Sequence, residues 1–250
     1  MTDRALVRLE VADAVATITM DSPGNRNALS RSLVAGLLSH LDTVADRPDV
    51  RAVVIAAEGP VFCAGADMRE AAREGMEHGA GALVALQRAI VGLHQPVVAR
   101  VHGPVRAGGL GIVGACDVVI SADTVTYAFT EVLLGLAPAV ISLTTLPRLT
   151  SRAASEKYLS GAGFDAHEAQ RIGLVTRAVP VEQLDEAVAD VAARWAGASA
   201  QGLRETKALL NHALLRRIDE LGAQVARQSA QLFASDEARA AMQAFLSRAR

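Results

Sequence analysis

"PVFCAGADM", Pro60 to Met68, joins the apolar run "RAVVIAAE" (Arg51 to Glu58) to a helix-like segment beginning "MREAAREG" at Met68. A buried strand commonly ends in a polar turn, yet Cys63, Ala64, Gly65 and Ala66 carry almost no side chain before the first charge, Asp67. So bare a turn offers its peptide groups to whatever approaches. A second stretch repeats the device: "VVARV" (Val97 to Val101) reads as a strand, and "HGPVRAGGLGIVGACD" follows it. Where a helix opens after such a turn, its first N–H groups lack a partner within the helix and point outward. Two turns of this kind facing one another would set two N–H donors around one oxygen, the construction of an oxyanion hole.

The same stretch contains a false friend. "GLGIVG", Gly109 to Gly114, satisfies G-x-G-x-x-G, and Glu131 lies at a suitable distance for a ribose contact. The dinucleotide fingerprint must open directly after a strand, but "HGPVRA" separates Val101 from Gly108. Two strand-like runs, "DVVIS" and "VTYAF", then stand where one helix and one strand are required. Context rules the nicotinamide reading out.

Outward from these turns, strands and helices alternate. "ALVRLEV" and "AVATITM" form a hairpin about Asp13, "DSPGNRNA" (Asp21 to Ala28) is loop, and Ser30 caps a helix with Leu33, Leu37, Leu38 and Leu41 on one face. A helical pattern returns from about Gly81 to Leu93, and from Ala139 the chain is mostly helical apart from "GLVTRAV". After Pro180, spacing and caps suggest three or four consecutive helices. This predicts an α/β core with a helical C-terminal extension.

Composition sets the outer limits. The chain has 250 residues, is half apolar and poor in aromatics, and carries a net charge of −2. That balance leaves no global field for nucleic acid or an anionic membrane. Cys63 and Cys116 make neither a disulfide framework nor a metal spacing and read as buried thiols. No basic-then-apolar leader opens the sequence and no run approaches the ~18 apolar residues of a membrane span, so a soluble, cytoplasmic protein is expected.

Taken together, "FCAGADM", "VHGPVRAGGLGIVGACD" and "TEVLLGLAP" resemble the enoyl-CoA hydratase/isomerase (crotonase) superfamily, and the likeness runs from the first hairpin to "AFLSRAR". The resemblance implies a spiral of repeated β-β-α units (residues 1–190) and a C-terminal helical oligomerisation region (191–250) that forms trimers or hexamers. It implies an acyl-coenzyme A thioester as substrate, with coenzyme A entering only as part of it and no metal or bound cofactor. By position, Ala66 and Gly108 would supply the oxyanion-hole N–H groups, and Asp67 would shape the first turn. Arg26, Asn27 and Ala28 would lie along the nucleotide end of coenzyme A. Ala64, Met68 and Gly109 would line the thioester's path, and Phe245 and Arg248 would approach the adenine and phosphates.

Glu131 matches the family's second catalytic glutamate. A thioester carbonyl held by two N–H donors has an acidic α-proton, because enolate charge is stabilised where it appears. A carboxylate beside the acyl carbons can then move that proton or activate water. The family's first catalytic glutamate is replaced by Gly111, and Thr130 replaces the usual proline before the second. Hydration of a 2-enoyl-CoA by Glu131 alone is therefore the leading expectation. A double-bond shift from position 3 to 2 is the close rival, and a non-catalytic acyl-CoA carrier the third. His102 is expected to be structural, Arg106 a packing arginine or a substrate-carboxylate partner, and Glu70 and Arg73 a solvated helix face.

Overall fold

The hairpin forms as the alternation predicts. Val7–Ala12 (β1) and Val15–Met20 (β2) pair antiparallel, with Asp13 and Ala14 at the tip in the left-handed region, φ 49° and 62°. The computed structural model of the chain describes residues 5–248, apart from the side chains of Glu74, Glu77 and residues 245–248. Ser30 accepts a hydrogen bond from the Leu33 N–H and opens Arg31–Ala45 (α1), which buries Leu33, Val34, Leu37, Leu41 and Val44. Ala52–Ala57 (β3) is buried at every position, as a strand covered on both faces must be.

Met68–Glu74 (α2) and Glu77–Gly92 (α3) follow, α3 starting four residues earlier than the expected Gly81. Val97–Val101 (β4) is the next strand, and two-residue Val105–Arg106 (β5) leads into fully buried Gly108–Ala115 (α4). Val118–Ala122 (β6) and Thr126–Ala128 (β7) precede a 3-10 turn over Thr130–Leu134. Ser142–Thr145 (α5), Ser151–Ser160 (α6), Phe164–Asp165 (β8), Ala166–Arg171 (α7) and Arg177–Val179 (β9) complete the mixed part. Leu184–Ala196 (α8), Ala200–Phe233 (α9) and Asp236–Arg248 (α10) close the chain.

One sheet runs β1-β2-β3-β4-β6-β9, parallel from β2 onward, and a smaller one runs β5-β7-β8. As the chain advances it adds a strand to each sheet with helices between, which is the expected spiral of β-β-α units. α8 packs on β3, β4 and β6, and α9 packs on α3 and α5. No helix among the described residues is long and apolar enough to cross a membrane.

α9 is fastened to the core by a buried polar knot. Lys207, only 4% exposed, donates to the carbonyls of Ile90 (3.0 Å) and Gln95 (2.9 Å) and meets the Asp117 carboxylate at 2.8 Å. Asn211, one turn on, donates to the other Asp117 oxygen at 2.8 Å, and the Val97 N–H donates to the first at 2.7 Å. The knot ties α9, the end of α3, the start of β4 and the start of β6 together. α10 turns back on the same chain, and Ala238, fully buried, sits against Gly135 just after the 3-10 turn.

Candidate active site

Three chain segments leave the core side by side and in register. Cys63 bridges Val105 in parallel, and Val105 pairs with Tyr127 in parallel. Three residues further along stand Ala66, Gly108 and Thr130, with Glu131 next. The Ala66 nitrogen stands 3.8 Å from the Cβ position of Gly108, so the two bare turns lie against each other, and Glu131 stands in the 3-10 turn that ends the third segment. The Ala107 N–H, donating to the Ala128 carbonyl at 3.2 Å, holds the second and third segments together up to the turn. On the far side the Leu29 N–H donates to the Gly65 carbonyl at 2.7 Å.

The lack of side chains in the first turn now has its cause. Gly65 has φ +92°, and a Cβ there would stand 2.9 Å from the Ala107 Cβ and 3.4 Å from the Gly108 nitrogen. Backbone lies on backbone, and only glycine fits. Ala107 itself holds φ 45° and ψ −118°, a sparsely populated conformation that turns β5 abruptly into α4. Asp67 caps α2, accepting from the N–H groups of Arg69 (2.9 Å) and Glu70 (3.1 Å), and takes a further contact from the Asn25 amide at 3.4 Å. Among the described hydrogen bonds, neither the Ala66 nor the Gly108 N–H is given to an acceptor.

The other residues singled out in the sequence divide into two groups. Arg26 is exposed on the loop rim, its carbonyl accepting from the Ala64 N–H at 3.1 Å. Asn27 faces the protein: fully buried, it accepts from the Ser22 N–H and donates to the carbonyls of Glu58 and Val61. Ala28 is buried beside it, and Met68 is half-buried at the head of α2. Gly109 packs inward, where a Cβ would meet Cys63 at 2.8 Å. Phe245 and Arg248 fall on α10, with side chains outside the described residues.

His102 hydrogen-bonds the Gly59 carbonyl at 2.7 Å, and Arg106 is spent on Thr126, donating to its carbonyl and hydroxyl. Glu70 departs from the expected solvated face, because its carboxylate accepts from the Arg31 N–H at 2.8 Å and joins α2 to the start of α1. Cys63 and Cys116 are buried free thiols, each pushed up to about 12 by burial.

Glu131 sits in the first turn of the 3-10 segment with one carboxylate oxygen buried and unpartnered. Burial pushes its carboxyl from 4.5 up to about 7, the hydrogen bond from its own N–H pulling weakly the other way. Beneath it Phe129 packs against the Tyr158 ring at 4.5 Å, and the Tyr158 hydroxyl meets Thr145 at 2.5 Å. A carboxyl near 7 can both take and return a proton at neutral pH.

The position of the absent glutamate is tightly packed. A Cβ on Gly111 would stand 3.0 Å from the Ile141 side chain and 3.2 Å from the Gln87 amide. Gln87, fully buried, donates to the Leu83 and Val140 carbonyls and accepts from the Thr144 hydroxyl at 2.6 Å. Sequence reasoning passed over Gln87, although it sits on the apolar stripe of α3 with Leu83, Leu86 and Ile90. Among the described residues no group of three or more His, Cys, Asp or Glu could hold a metal ion. A surface cleft of about 290 Å³ lined by Arg47, Arg51, His94 and Arg204 lies at the other end of the sheet. Two of its cations are already paired, Arg47 with Asp49 and Arg204 with Glu205.

A mixed spiral with two bare turns set against each other and a half-buried glutamate on the adjoining segment defines a class of protein, and comparison with known proteins agrees. The enoyl-CoA hydratase/isomerase family model matches residues 10–250, and the chain belongs to that family. A crystal structure of an enoyl-CoA hydratase from Mycobacterium avium is similar at 45% identity and a TM-score of 0.92, covering 98% of this chain and 97% of that one. One from Mycobacterium smegmatis is similar at 29% identity and a TM-score of 0.81, covering 97% and 96%. A Mycobacterium bovis protein named "Probable enoyl-CoA hydratase echA8" is 30% identical over 96% of this chain and 94% of its own length.

Proposed function

We propose that this chain moves a proton on an enoyl-CoA thioester. Ala66 and Gly108 give their N–H groups to the thioester oxygen, and Glu131 is the one acid/base. The observation that supports the reading is the close approach of the two bare turns, the Ala66 nitrogen 3.8 Å from the Cβ position of Gly108, beside a glutamate raised to about 7. The donors stabilise the charge that appears on the oxygen as the α-proton leaves, and they cost no reorganisation as it does so. With hydrogen alone at position 111, one carboxylate handles every proton, and a shift of the double bond from position 3 to 2 fits that best. Hydration of a 2-enoyl-CoA, first in the sequence reading, is the second reading and is favoured by the names the relatives carry.

Incubating the purified chain with 2-enoyl- and 3-enoyl-CoA thioesters of several lengths, with products resolved by chromatography, tests this directly. Binding of both without conversion of either would leave a carrier in place of an enzyme. Gly108→Val is expected to lower turnover by about 10²–10³. A Cβ there stands 2.9 Å from Leu29 and 3.8 Å from the Ala66 nitrogen, so the valine crowds the approach to both donors. Wild-type turnover in a folded valine variant would place the donors elsewhere.

The same reading includes assembly as a homotrimer, alone or paired into a hexamer. Leu209 (81% exposed) and Leu210 (75%) on α9, with Leu159 on α6 and Leu133 on the 3-10 turn, stand open in the single chain. Covering such side chains contributes roughly 25 cal/mol per Å². Light scattering at micromolar concentration should report three or six chains, and a monomer mass would overturn it.

A further inference from the structure

The stripe of α3 that underlies α4 changes character over one turn. Leu83 lies 3.4 Å from the Cβ position of Gly108, at the donor turn, and is apolar. Gln87, four residues on, lies 3.2 Å from the Cβ position of Gly111 and is polar, fully buried and internally satisfied. Its Nε2 serves two carbonyls and its Oε1 takes the Thr144 hydroxyl; Thr144 in turn lies 3.1 Å from the Gly111 carbonyl. Ile141, on the next element, closes the remaining side at 3.0 Å. Both amide hydrogens are spent and the oxygen already takes one donor. A side chain at 111 would press on Gln87 and Ile141 from its first carbon and would have to displace one of them to extend.

We propose that Gln87, locked by Thr144, is the specificity-determining residue of this site, holding it to one-base chemistry by occupying the second acid's ground, so that Glu131 moves the substrate's own proton in preference to adding water. This rests on the acyl-CoA reading above. In the step it favours, the Glu131 carboxylate takes a proton from C2 of a 3-enoyl thioester. The C–H electron pair passes through the C1–C2 bond to the thioester oxygen, giving a dienolate. As the carbonyl re-forms, a double bond forms between C2 and C3. The former C3–C4 π pair takes the proton back from Glu131 at C4. One proton leaves and one returns, and no water or co-reactant is consumed.

The ratio of 3-hydroxyacyl-CoA to shifted 2-enoyl-CoA, measured on the full chain with a short 2-enoyl-CoA and its 3-enoyl isomer, reads the proposal out. Wild type is expected to shift faster than it hydrates. Gly111→Glu alone should stay near the wild-type ratio, because the new side chain is crowded by Gln87 and Ile141 from its first carbon. Gly111→Glu with Gln87→Ala should raise the ratio at least about tenfold, the low end of what a placed general acid–base contributes being ~10². Thermal melts confirm folding in each case. Turnover with the same ratio in the opened double variant, or a ratio raised as far by Gly111→Glu alone, overturns the proposal and leaves the acyl-CoA reading standing. Absence of turnover in wild type itself overturns both.

Discussion

Lys207→Met should destabilise the fold by about 3–5 kcal/mol, the cost of leaving a buried charge without its partner. The substitution preserves length and apolar stem. It strips Asp117 of its counter-charge and the carbonyls of Ile90 and Gln95 of their donor. Burial lowers the Lys207 pKa while Asp117 opposes that, so the ammonium is held in place by the carboxylate rather than by solvent. At 2–4 °C per kcal/mol for a chain of this size, the melting temperature should fall by roughly 6–20 °C at matched protein concentration. Adding Asp117→Asn should recover part of that loss, because the second change removes the orphaned charge. Should Lys207→Met melt within about 1 kcal/mol of wild type, the knot is ornament and α9 is held by its apolar stripe.

Glu131→Gln should separate activity from stability, in opposite directions. Glutamine keeps shape but cannot accept a proton, so turnover should drop toward the upper end of the ~10²–10⁴ range for general acid–base catalysis. Binding of the thioester, made mainly through coenzyme A, should change little. In wild type kcat/KM should rise with pH through about 7, since the base must be ionised. The stability effect has the reverse sense. A carboxyl raised from 4.5 to about 7 by burial favours the fold when protonated. That advantage is present in full below 4.5 and is lost as pH climbs through 7, by at most about 3 kcal/mol. Glu131→Gln should therefore melt above wild type at pH 8 and beside it at pH 4. Equal turnover by the glutamine variant would remove Glu131 from the chemistry. A lower melt at pH 8 would mean that the ionised carboxylate finds a stabilising partner in the folded chain.

How much of this was legible before folding depended on whether a residue's task was local. The Ser30 cap, the buried β3 and the bounds of β4 follow from neighbours within one turn or one strand, and the residues themselves carry them. The two bare turns were legible as turns, but what sets them side by side is the pairing of Cys63 with Val105, a contact across the chain. The two-residue strands β5 and β8 are too short for alternation to register. Gln87, Lys207 and Asn211 share one lesson. Each is a polar residue on the buried stripe of a helix, where periodicity asks for an apolar one. Such a residue must find partners on other elements, and that mismatch was the available signal. Glu70 was misjudged for the converse reason: its own helix gives it nothing, and its partner, the Arg31 N–H, lies 39 residues earlier.

The knot at Lys207 also orders events in time. Asp117 is made 94 residues before Asn211, and Ile90 is made 117 before Lys207. A ribosome adding about 5–20 residues per second leaves that carboxylate waiting on the order of 5–20 s before either donor has been synthesised. Through that interval the N-terminal strands can pair, yet the edge between β4 and β6 carries a charge with nowhere to bury it. The knot itself can close only once α9 has been made.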